Sequence, residues 1–342
     1  MSAPQPGARD AARRLTFALA AALALLVAAC NGGGSGSPSA PAATPSGTGS
    51  GSGACATAPT PPSDLPGWDV TSQDPTLFPV LIANTGELTC GRNRVLFTLV
   101  DKDNRPVGAP DRTASISVYN LGRDAETPIA TADGEFVWAI EGERGIYVAY
   151  VDLPEAGLYG AEIVTAQGSA QPERIRLTFQ VQASSPLIKV GQPAPASTNP
   201  TLDDVGGDVA RISTDTNPEP KLYETTPAAA LEANEPFLLA FATPKFCQTA
   251  QCGPTLDRLK PFVSRYPTVR FINVEPYELE FENGSLQVVL DNQQLVPVEA
   301  VGQWGLSSEP WIFVVDREGI VRGSFGLIFS DEELTAALDG VK

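Results

Sequence analysis

The run Phe237–Pro254, FLLAFATPKFCQTAQCGP, constrains the chain more than any other stretch. Phe237–Thr243 carries no charge, the pattern of a strand buried on both faces, and two cysteines spaced C-x4-C follow almost at once. Gly253-Pro254 then opens a helix, because proline is favoured in a first helical turn. Leu256, Leu259, Phe262, Val263 and Tyr266 continue it at helical spacing. On an ideal helix, residues five apart lie about 140° around the axis and about 8 Å from each other. A disulfide needs Cα atoms within about 7 Å. The segment from Cys247 to Cys252 is therefore read as a loop before a helix starting at Pro254, and a bridge across that loop is feasible.

A chain of 342 residues suits two folded domains. It contains no histidine, which excludes His-dependent triads, His-ligated zinc and imidazole acid–base catalysis. The formal net charge of −17 is spread through both halves and repels phosphate backbones, so no nucleic-acid partner is expected. Neither a cofactor motif nor a metal-ligand set is read from the sequence.

Arg9, Arg13 and Arg14 precede the apolar run Leu15–Ala29, which has the shape of a secretory signal and is short for a membrane span. Val27-Ala28-Ala29-Cys30 resembles the lipobox of bacterial lipoproteins. That resemblance implies removal of residues 1–29, a lipid anchor on Cys30, and a position on the cell membrane facing the extracytoplasmic side. Two acyl chains suffice for stable anchoring. Residues 30–59, dominated by Gly, Ser, Pro, Ala and Thr, hold too little apolar surface for a core and read as a disordered linker.

Residues 60–185 show period-two alternation in short strands: Val95–Val100, Ser115–Tyr119, Glu135–Ile140, Ile146–Val151, Tyr159–Ala166 and Arg174–Val181. Such a series predicts an all-β sandwich of immunoglobulin-like type. Trp138, Tyr147, Tyr150 and Tyr159 are read as core or interface aromatics. With Cys30 set apart, four cysteines remain and admit three pairings. The reading favours Cys55–Cys90 as a structural disulfide that pins the start of the sandwich.

Residues 186–342 alternate helix and strand, and the whole is read as multidomain: sandwich first, an α/β domain second. Val190-Gly191-Gln192-Pro193-Ala194-Pro195 resembles the VGxxAP opening of thioredoxin-like proteins related to peroxiredoxins and cytochrome c maturation reductases. The cysteine loop, Pro310 before an apolar strand, and a closing hairpin and helix follow in the order of that fold. The resemblance implies that Pro310 is cis and faces the nucleophile, that Cys247 attacks, and that Cys252 resolves. The implied activity is thiol–disulfide exchange with protein thiols or disulfides outside the cytoplasm. Thioredoxins use C-x2-C and bury an acid in the strand before it, whereas Phe237–Thr243 has none. C-x4-C also occurs in one-chain two-cysteine peroxiredoxins, which place Thr three residues before the first cysteine. Pro244 stands there in this chain, with Arg258 and Arg322 as candidate guanidiniums. A non-catalytic scaffold with a structural Cys247–Cys252 bridge is the remaining alternative.

Overall fold

Pairing of adjacent strands builds the first half of the chain in the computed structural model, which describes residues 55–68, 75–83 and 87–342. The expected signal segment, the anchor at Cys30 and linker residues 30–54 lie outside the described residues. β1 (Leu77–Ile82) pairs with β2 (Gly91–Asp101), and β3 (Arg112–Asn120) with β4 (Ala130–Asp133). β5 (Glu135–Ile140) pairs with β6 (Arg144–Leu153), and β7 (Gly157–Gln167) with β8 (Glu173–Val181). The β2–β6 and β3–β7 pairings join these hairpins into two antiparallel sheets, ordered β1-β2-β6-β5 and β4-β3-β7-β8.

Alternation sends one side chain in two inward. Val95, Phe97 and Leu99 of β2 thus meet Ile116 and Val118 of β3 and Ile163 of β7 in one core, which makes the pair of sheets a sandwich. β1 and β4 add two strands to those expected from the sequence, and both lie at sheet edges. Pro79 is tolerated in β1 for that reason, since an edge strand need not donate from every residue.

The linker expectation needs correction at its end. Cys55 is bonded to Cys90, with Cα atoms 6.0 Å apart. Ala56 and Ala58 exchange backbone hydrogen bonds with Ala156, each 2.8 Å long. Residues 55–59 therefore belong to the sandwich, held by the bridge and by pairing with a chain segment about a hundred residues later.

In the second half a mixed sheet is covered on both faces. β9 (Phe237–Phe241) runs parallel to β10 (Arg270–Val274) and antiparallel to β15 (Trp311–Val315). β16 (Val321–Gly326) completes the order β10-β9-β15-β16. Leu238 and Ala240 of β9 pack with Leu256, Leu259 and Phe262 of α2 (Cys252–Arg265) and with Leu334 and Leu338 of α4 (Asp331–Asp339). The opposite-facing Phe237, Leu239 and Phe241 pack with Ala230 of α1 (Pro227–Glu232) and with Ala300 of α3 (Glu299–Gln303) and the neighbouring Trp304.

Thr226 caps α1 by accepting from the Ala229 N–H at 3.1 Å, and Ser330 and Glu333 close a capping box on α4. Two hairpins, β11 (Leu279–Glu282) with β12 (Ser285–Val288) and β13 (Leu290–Asp291) with β14 (Gln294–Leu295), fill the stretch between β10 and α3. Residues 199–223 form 3-10 turns at Asp203–Val205, Val209–Arg211 and Pro220–Tyr223. They bury Ile212, Ser213 and Thr214.

The two halves pack against each other within one compact unit. Leu96, Val137, Ile146 and Val148, on the outer face of the β1-β2-β6-β5 sheet, enclose Ile328 from the segment after β16. Arg94 of β2 forms a two-pronged ion pair with Glu333 of α4, at 2.7 and 2.8 Å. Arg258 of α2 donates to the carbonyls of Trp138 (3.2 Å) and Phe329 (2.8 Å). Gly305, just after α3, lies against the segment that connects the halves. Its φ is +67°, and a Cβ there would fall on the Pro186 carbonyl, so only glycine lets the two segments pass. Among the described residues no helix is long and apolar enough to cross a membrane.

Candidate functional site

β9, an inner strand of the buried sheet, delivers the cysteine loop from its C-terminal end. Ala242 and Thr243 extend the strand's burial, and a turn follows in which the Phe246 N–H donates to the Thr243 carbonyl at 3.2 Å. Ala250 takes a φ of +62°, a left-handed conformation that costs any residue but glycine about 1 kcal/mol or more. That reversal lets the loop enter α2 at Cys252, two residues earlier than Gly253-Pro254 suggests. Pro254 costs no helical hydrogen bond there, since the first four N–H groups have no partner within the helix.

Cys247 and Cys252 are joined as a disulfide with Cα atoms 5.9 Å apart. The geometric objection to a bridge within a regular helix is met because only Cys252 is helical. Cys247 is half-buried and Cys252 fully buried. The Cys252 N–H, at the start of α2, donates to Cys247 Sγ at 3.2 Å. Thr249 Oγ1 lies 3.4 Å from the same sulfur.

The Glu309–Pro310 peptide bond is cis. Two hydrogen bonds fasten it to the cysteine loop: Thr249 Oγ1 donates to the Glu309 carbonyl (2.9 Å), and the Gln248 N–H donates to Glu309 Oε1 (2.9 Å). Tyr277 donates its hydroxyl to Glu309 Oε2 at 2.8 Å and accepts from Gln248 Nε2 at 2.7 Å. Burial, aided by the hydrogen bond to the Glu309 carboxylate, pushes the Tyr277 hydroxyl up to about 12. Glu309 itself is buried, and an oxygen of its carboxylate and the two sulfurs all lie within 4.8 Å of one another.

A second carboxylate supports the foot of the loop. Glu275 follows β10, keeps part of its stem at the surface and turns its carboxylate toward Thr214 and Thr243, both buried. It accepts from the Thr214 N–H at 2.7 Å and the Thr214 hydroxyl at 2.9 Å, and Thr214 Oγ1 accepts from the Lys245 N–H at 3.3 Å. Burial pushes the Glu275 carboxyl up to about 7, against the hydrogen bonds from Thr243 and Thr214 that favour its charged form.

The basic side chains of Lys245, Arg258 and Arg322 are engaged with other partners. Lys245 donates its ammonium to the Leu286 carbonyl at 2.6 Å and lies over the Phe246 ring. Arg322 pairs with Asp316, and Arg258 serves the two carbonyls between the halves. Sequence reading missed Glu309, Tyr277, Gln248 and Thr249. Only Glu309 carried a signal, its position directly before Pro310.

No family model matches the chain, and no curated protein matches it. Among solved structures it is similar to a DUF4426-family protein from Pseudomonas aeruginosa PAO1, at 12% identity and a TM-score of 0.23, over 32% of this chain and 91% of that one. A further similarity is to the Lin-41 filamin domain, at 11% identity and a TM-score of 0.17, over 29% and 90%.

Proposed function

We propose that the second half is a thioredoxin-like domain and that the protein is a thiol–disulfide oxidoreductase, tethered through Cys30 on the extracytoplasmic side of the membrane. The observation that carries this reading is the asymmetry of the pair. A half-buried Cys247 sulfur accepts the N–H at the start of α2, and a fully buried Cys252 stands behind it. A helix N-terminus favours a thiolate over a thiol.

In the reduced protein the Cys247 thiolate attacks one sulfur of a substrate disulfide, and the other sulfur leaves as a thiolate. The Cys252 thiol then loses its proton and attacks the Cys247 sulfur, which closes the internal disulfide and releases the second substrate thiolate. Two electrons pass from the pair to the substrate, and the reverse sequence oxidises a substrate dithiol. Glu309 is placed to accept the Cys252 proton, the task that the uncharged strand β9 cannot perform.

The Cys252→Ser variant stops the sequence at its first step. With insulin as the disulfide substrate, it is expected to accumulate a mixed disulfide at Cys247, visible by mass spectrometry after acid quench. Cys247→Ser is expected to form none and to lose exchange activity. Equal activity in Cys247→Ser and the wild type contradicts the proposal. The thiol-peroxidase alternative draws no support from Arg258 or Arg322, whose guanidiniums are engaged elsewhere. Complete burial of Cys252 is the one observation that favours a structural bridge in a binding lipoprotein, and absence of the trapped adduct supports that alternative.

A further inference from the structure

From the cluster formed by Cys247, Cys252 and Glu309 we infer that reduction turns the disulfide into a binding site for a zinc-class divalent cation, with two thiolates and one carboxylate as ligands. Each residue offers one donor atom, and the three atoms lie within 4.8 Å of one another. Zinc binds thiolate sulfur at about 2.3 Å and prefers a tetrahedron, which sets two sulfurs about 3.8 Å apart. Separating the sulfurs to that distance stays within the span the cluster already has.

The donor set selects the metal. Two thiolates disfavour calcium and magnesium, which take oxygen ligands, and the carboxylate suits zinc better than a purely thiophilic ion such as Cu(I). Three protein ligands leave the fourth position open to water or to a substrate group. Glu309 is held for this role. Oε1 accepts the Gln248 N–H and Oε2 the Tyr277 hydroxyl, each at one lone pair, so an oxygen keeps a free lone pair for the metal. Such bonds fix the orientation of a ligating carboxylate. The Cys252 N–H directed at Cys247 Sγ further stabilises the thiolate. Half-burial of Cys247 leaves a way in from solvent.

The electron count makes the site redox-gated. A dithiol reductant gives two electrons and two protons to the Cys247–Cys252 bond and becomes a cyclic disulfide. Zn2+ then displaces the two thiol protons to solvent as the two Zn–S bonds form. The oxidised pair has no thiolate to offer and binds nothing. This inference needs only that the pair can be reduced in the folded protein, and it stands whether or not the pair exchanges disulfides with a partner.

The test uses the full chain carrying Cys30→Ser, reduced with dithiothreitol, freed of it anaerobically, and titrated with Zn2+ against a chromophoric chelator. Cd2+ serves as a second probe through its thiolate charge-transfer absorbance. The reduced protein is expected to bind one equivalent and the oxidised protein none. Cys247→Ser is expected to abolish binding, and Glu309→Gln to weaken it by at least about tenfold while keeping one acceptor oxygen for the Gln248 N–H. Should Glu309→Gln unfold by circular dichroism, Glu309→Asp replaces it, with a smaller loss expected. No binding by the reduced protein overturns the inference. So does binding unchanged in the Glu309 variant, which marks an adventitious dithiolate only, or binding that persists in Cys247→Ser. The insulin experiment can fail while metal binds, and the reverse, so the two proposals fail separately.

Discussion

Replacing Arg94 by alanine is expected to destabilise the protein by about 3–5 kcal/mol, the cost of leaving a buried charge unpaired. Arg94 and Glu333 keep only 9% and 7% of their side-chain surface exposed. Glu333 is also the residue on which several elements converge. It accepts from the Arg94 guanidinium, the Tyr150 hydroxyl and the Ser330 N–H of its own capping box. Removing the guanidinium therefore strands a carboxylate between the sandwich and α4.

Burial is the largest influence and opposes the charged form of Glu333, yet the Arg94 hydrogen bond and charge, together with the hydrogen bonds from Tyr150 and Ser330, outweigh it and hold the carboxyl below its ordinary range. A carboxyl depressed on folding adds stability above its unfolded value, about 4.5 here, and that stability is lost as pH falls through the folded value. The wild type should then lose more stability on acidification than Arg94→Ala. Urea unfolding at pH 7 measures the main effect, and the double variant Arg94→Met, Glu333→Gln should recover part of it. A loss under about 1 kcal/mol would mean that the pair behaves as a solvent-screened surface bridge.

Removing the Cys55–Cys90 bridge, as Cys55→Ala with Cys90→Ala, is expected to cost about 3–4 kcal/mol, because it frees the unfolded chain from a closed loop of that length. The sequence separation is 35 residues. The folded state loses something local as well. Without the bridge, residues 55–58 keep the backbone bonds of Cys55 to Ala183 and of Ala56 and Ala58 to Ala156, while Trp68, farther along the segment, stays packed against Tyr119 and Leu121. Hydrogen exchange at the Ala156 amide should quicken more than at Phe97 in the core. If the urea midpoint shifts by less than about 1 kcal/mol equivalent, residues 55–58 are held by their backbone pairing alone.

How much of this is legible in the sequence depends on where each segment is buried. Strands β2, β3 and β5–β8 announce themselves as short apolar-rich runs between turns, and β8 alternates most plainly because one of its faces is core and the other is not. β1 and β4 escape: one contains Pro79 and the other has only four residues, and edges demand less of their side chains. The contact between the halves had a signal that alternation hid. Ile146–Ala149 is apolar without a break, as a strand covered on both faces must be, and the second cover is the segment around Ile328.

At the site, the strand, the cysteines and Pro310 are readable from local order. The start of α2 is misplaced by two residues because it depends on the left-handed Ala250, which no propensity foretells. Nothing local in the sequence signals the burial of Glu309, since carboxylates rarely go inside unpaired. Its burial depends on Tyr277, which arrives from just beyond β10, and on Gln248 in the cysteine loop.

The reduction potential of the Cys247–Cys252 pair tests the central claim most directly. Thiol trapping and mass spectrometry across a series of dithiothreitol ratios would give it. A redox-active pair is expected near or above about −250 mV, in the range of known exchange catalysts. A value below about −300 mV would mark a permanent structural bridge and contradict the proposed function.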